Sequence, residues 1–91
     1  MRNHHTSDLD ASRLKAALAA MDWPLLTRLS RHTLRKNPRH LVANRLLGFS
    51  LSKQRQIDAA LIAFRKATVH WPDDGELLAN FGNFLIEQAM N

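Results

Sequence analysis

The stretch Ile57-Asp-Ala-Ala-Leu-Ile-Ala-Phe-Arg-Lys-Ala-Thr-Val-His-Trp-Pro-Asp-Asp-Gly75 decides the fold. Ile57, Ala60, Leu61, Phe64 and Ala67 recur at i, i+3, i+4, i+7 and i+10, which gathers them on one face of an α-helix. Trp71-Pro72 ends that helix, because proline pushes the residue before it out of the α region. Asp73 or Asp74 then offers a side-chain oxygen to cap a final helix, roughly Glu76 to Met90.

The same reading extends upstream. Lys53-Gln-Arg-Gln56 is a short turn without glycine, and before it a helix from about Leu41 to Lys53 carries Val42, Leu46, Leu47 and Phe49. Asn37-Pro38 closes an earlier helix that holds Leu25, Leu26, Leu29 and Leu34 and that Pro24, acceptable in a first turn, opens. Ser7 or Asp8 caps a first helix with Leu9, Leu14, Ala17, Leu18 and Met21. No segment alternates with period two. The expectation is an all-α protein of about five helices: one domain over residues 8–91, preceded by a flexible tail over residues 1–7.

Composition bounds what such a chain does. Its 91 residues make one small domain, with little room for a deep enclosed pocket. Having no cysteine, it has no disulfide, thiolate metal site or cysteine nucleophile. No secretion signal or apolar stretch of membrane-spanning length is evident, so a soluble, cytoplasmic protein is expected. Thirteen Lys+Arg against 8 Asp+Glu give a net charge of +5. From Arg28 to Arg55 all charges are positive, and from Asp73 onward all are negative. A basic run of this kind is a phosphate footprint, a surface for an acidic partner, or a solvated face.

Spacing repeats as well. Pro38 and Pro72 lie 34 residues apart, as do Gly48 and Gly82; Leu51 and Leu85 follow the glycines by three. After Gly48, Ala60, Phe64, Ala67 and Pro72 follow at offsets 12, 16, 19 and 24. This pattern resembles the tetratricopeptide repeat, with Leu-Gly early in a helix A and Ala, Phe, Ala and Pro along a helix B. It covers residues 41–74 well and 75–91 as a lone helix A. It is degenerate over residues 7–40, where Leu14 takes the small position and Ser30 and Thr33 replace Phe and Ala. Asn44 stands where the repeat usually has an aromatic.

The resemblance implies two antiparallel helical hairpins plus a fifth helix in a right-handed superhelical stack, with the A helices lining a concave groove. Arg45, Phe49 and Lys53 lie at i, i+4 and i+8 on the second helix A, and Lys15 and Asn83 are the counterparts of Phe49 in neighbouring units. The implied groove therefore carries Lys15, Arg45, Phe49, Lys53, Asn80 and Asn83. It suits a peptide bearing acidic residues or a free carboxylate. The two-Lys, two-Asn and Arg clamp of chaperone-binding family members is not reproduced. The last helix has two apolar stripes, and only one can pack inward. Phe81, Phe84, Leu85 and Ala89 are thus expected to mediate self-association or to receive a partner's helix.

No catalytic or metal constellation appears. His4, His5, His32, His40 and His70 are scattered without ligand spacing, and three isolated glycines make no phosphate loop. Trp23 and Trp71 read as lids over helix ends rather than as stacking platforms. The expected function is a non-catalytic protein–protein interaction module without cofactor or metal. A nucleic-acid-binding domain using the Arg28–Arg55 stretch ranks second, since aromatics are few and the acidic last helix would repel phosphate.

Overall fold

The computed structural model describes residues 2–91, with side chains from Leu9 onward. Among these residues the chain is all α-helical: α1 (Arg2–Ala19), α2 (Trp23–Lys36), α3 (Leu41–Lys53), α4 (Ile57–His70) and α5 (Gly75–Met90). Helix α1 starts at Arg2, upstream of the expected cap at Ser7 or Asp8. The side chains of that cap and of the expected tail over residues 1–7 lie outside the described residues.

Each boundary has a local cause. Asp22 Oδ1 accepts from the Leu25 amide at 3.2 Å and starts α2 with Pro24 in its first turn. Asp74 Oδ2 accepts from the Leu77 amide at 3.0 Å and starts α5. At α3 the cap is a histidine: His40 Nδ1 accepts from the Ala43 amide at 3.2 Å. The two turns without glycine put Met21 (φ 53°) and Arg55 (φ 64°) in the left-handed region, which lets the chain reverse in three residues.

These features recur with one period. Met21 and Arg55, the N-caps His40 and Asp74, and the C-caps Asn37 and Trp71 are each separated by 34 residues. The backbone from α2 through the start of α3 is therefore built again as α4 and the start of α5.

Successive helices reverse direction. Lys36 at the end of α2 pairs with Asp10 of α1 at 3.2 Å. Gln54, just past α3, donates to the Thr27 hydroxyl at 2.8 Å and the Trp23 carbonyl at 3.4 Å, both early in α2. By contrast, α5 runs beside α3 in the same direction, joined through Arg45, Asp74 and Asn80.

Two core clusters follow each other along the stack. The first gathers Leu14, Ala17, Leu26, Ala43 and Leu46. The second gathers Leu51, Ala60, Ala63, Phe64, Ala67, Leu77 and Phe84. Phe64 is fully buried, stacked on Phe81 at 5.0 Å between centroids and tilted against Phe84 at 5.3 Å. A Cβ at Gly48 would lie 2.8 Å from this ring, so only glycine lets α3 approach α4 there. One period earlier the sizes are exchanged: Leu14 stands in place of Gly48 and Ser30 in place of Phe64, both fully buried. The bulk has moved from one helix to its neighbour, which keeps the interior filled. The small-residue rule fails at Gly82, around which nothing lies within 4 Å.

Candidate functional site

Helices α3 and α5, lying side by side, leave a shallow cleft between their solvent faces. Phe49 and Lys53 enter it from α3 and Asn80 and Asn83 from α5, around a cavity of about 240 Å³ that Ser52, Phe84, Ile86 and Glu87 complete. Four of the six residues expected in a groove thus converge. Phe49 is half-buried, with Trp23 edge-on to its ring at 5.7 Å. Lys53 Nζ sits 5.2 Å from the centre of the same ring, a cation–π contact that holds the ammonium over the aromatic face. Asn83 is exposed and free to donate and accept.

Arg45 does not serve as an open groove cation. Its guanidinium grips Asp74 through two bonds, Nε to Oδ2 at 2.8 Å and a terminal nitrogen to Oδ1 at 2.7 Å, and reaches Glu76 at 3.5 Å. This paired hydrogen bond holds the Asp74 carboxyl well below the usual carboxylate range, at about 2, with the Leu77 amide acting in the same direction. Arg45 is raised in turn, chiefly by the same bond. One carboxylate thereby caps α5 and fastens it to α3. Asn80 is also engaged, donating to the Arg45 carbonyl at 3.2 Å. Lys15 is exposed on α1 and does not line the cleft.

The residues expected to self-associate divide. Phe84 is buried and Phe81 half-buried against Phe64, so both belong to the core. The packing face of α5 runs through Leu77, Phe81 and Phe84, and this turns Leu85 and Ala89 to solvent together with Leu78, Ile86 and Met90.

Both tryptophans are half-buried at helix ends. Trp71 donates from Nε1 to the Arg39 carbonyl at 2.9 Å, and the Arg39 guanidinium lies 5.2 Å from the ring centre. Among the described residues no group of three His, Asp or Glu side chains could hold a metal ion, and no helix is long and apolar enough to cross a membrane. The sequence reading missed the His40 cap and the Arg45–Asp74 clamp.

No protein-family model matches the chain, and no curated protein matches it.

Proposed function

We propose that the chain is a cytoplasmic, non-catalytic protein–protein interaction module of the tetratricopeptide-repeat kind, which binds a peptide or helix of a partner in the α3–α5 cleft. The observation that carries this reading is the convergence of Phe49, Lys53, Asn80 and Asn83 around one cavity. The recurrence of turns and caps at 34 residues supports the repeat kinship.

The cleft has the parts peptide recognition needs. Phe49 gives an apolar platform for one side chain of the ligand. Lys53, held over that ring, attracts a carboxylate, and the Asn83 amide can pair with an extended backbone. Arg45 acts behind the site by fixing the α3–α5 spacing, so the expected ligand charge is read by Lys53. The α3–α5 cleft holds two asparagines and Glu87, so it suits a peptide with one or two acidic residues better than a polyanion.

A nucleic-acid reading draws on one observation: Arg28, Arg31 and Arg35 are exposed along α2 and make no ion pair among the described residues. Salt separates the readings. Phosphate binding through several cations falls steeply between about 50 and 200 mM salt. Binding anchored on Phe49 falls far less. The test is binding of display-selected peptides to the wild type and to Phe49→Ala/Lys53→Glu, in both salts, beside a fluorescent oligonucleotide.

A further inference from the structure

Two surfaces outside the α3–α5 cleft are unpartnered, and their chemistries fit each other. Helices α2 and α4 both pack on α3 but not on one another. The furrow between them holds two adjoining cavities of about 370 and 250 Å³, which share Arg31, Leu47 and Lys66. Leu47 and Leu51 of α3 floor it, and Ile62, 55% exposed, stands on its α4 wall. Arg31, Arg35 and Lys66 line its rim, no acidic residue lines either cavity, and none of the three cations makes an ion pair among the described residues. An apolar floor under a cationic rim fits an amphipathic helix with acidic flanks better than a phosphate backbone, which has no use for the floor.

Helix α5 is such an element. Leu78, Leu85 and Ile86, at i, i+7 and i+8, stand 44%, 47% and 58% exposed on one face. Glu87 lies beside them, and the chain from Asp73 onward contains no Lys or Arg. Its apolar stripe and negative charge match the furrow's floor and rim.

We propose that α5 of one copy of this chain seats in the α2–α4 furrow of a second copy, its leucines over Leu47 and Leu51 and its acidic flank against Arg31 and Lys66. The contact is heterologous, joining two different patches, so each copy in a pair keeps one furrow and one α5 unless the arrangement closes on itself. Opposite charges orient the encounter, and the apolar stripe supplies most of the affinity.

Complementing variants test this in sedimentation velocity. Arg31→Glu/Lys66→Glu closes the furrow to an acidic helix, and Leu78→Asn/Leu85→Asn removes the stripe without adding charge. All four positions are exposed, and helical circular dichroism of each variant verifies that it is folded. The expected result is concentration-dependent association of the wild type, monomers for each variant alone, and a one-to-one complex on mixing, since the mixture restores one intact furrow and one intact α5. A wild type that stays monomeric up to millimolar concentration overturns the proposal. So does association of the wild type with no complex in the mixture, which is the signature of α5 pairing with α5. Leu78, Leu85, Arg31 and Lys66 lie outside the Phe49–Lys53 cavity, so peptide binding there is scored independently of either result.

Discussion

Two glycines one repeat apart are predicted to respond to the same substitution in opposite directions. At Gly48, the added methyl of Gly48→Ala falls 2.8 Å from Cγ, Cδ1 and Cδ2 of Phe64. Carbon atoms in contact prefer about 3.5–4.0 Å. The ring cannot retreat, because it is fully buried with Phe81 and Phe84 against it. Overpacking of this kind costs about 1–3 kcal/mol. Alanine returns about 1 kcal/mol over glycine in a helix interior. The net expectation is a loss of about 1–2 kcal/mol, or a melting temperature lower by about 5–15 °C in a domain of this size. At Gly82 no atom lies within 4 Å of the new methyl, so only the propensity gain remains. Gly82→Ala should stabilise by about 0.5–1 kcal/mol and raise the midpoint by a few degrees. Thermal melts followed by far-UV circular dichroism decide the matter. If Gly48→Ala matches or exceeds the wild type, the close approach of α3 to α4 at Phe64 is wrong.

Other substitutions probe separate parts of the structure. Phe64→Ala should cost about 3–5 kcal/mol, a large share of a small domain's stability, and urea titration should show a much earlier midpoint. Arg45→Ala leaves Asp74 without its partner and should cost about 1–2 kcal/mol, the lower part of the range for a charged hydrogen bond because both groups are partly solvated; the same titration checks it. The Asp74 carboxyl is held lower in the folded chain than its ordinary value of 3.8, at about 2. The stability it contributes is therefore complete above pH 3.8 and lost as pH falls through about 2. The stability gap between wild type and Asp74→Asn, measured by denaturant titration at several pH values, should shrink across that window; a gap constant with pH would contradict the clamp.

The helix order was legible because this chain punctuates itself with strong local signals. Pro24, Pro38 and Pro72 and the capping residues Asp22 and Asp74 set the boundaries without reference to tertiary structure. The left-handed turns at Met21 and Arg55 were less visible, since neither residue type announces a positive φ. His40 went unnoticed as a cap because its imidazole competes with better-known capping side chains. At the cleft, helical spacing placed Phe49 and Lys53 on one face of α3, and the 34-residue offset from Phe49 placed Asn83 beside them. It could not show that Arg45 is consumed by a carboxylate 29 residues away, because that pairing arises only when α5 docks on α3. The split of α5 had the same origin: Phe84 and Leu85 are adjacent in sequence, and only the rotation of the docked helix decides which is buried.

Peptide binding in the α3–α5 cleft is tested most directly by titrating labelled peptides, selected by display against the wild type, into wild-type protein and Phe49→Ala/Lys53→Glu. The account predicts that the selected peptides carry acidic residues, lose at least about tenfold in affinity on the double variant, equivalent to about 1.4 kcal/mol, and bind the wild type with little change between about 50 and 200 mM salt. Selected peptides that bind both proteins equally would contradict it.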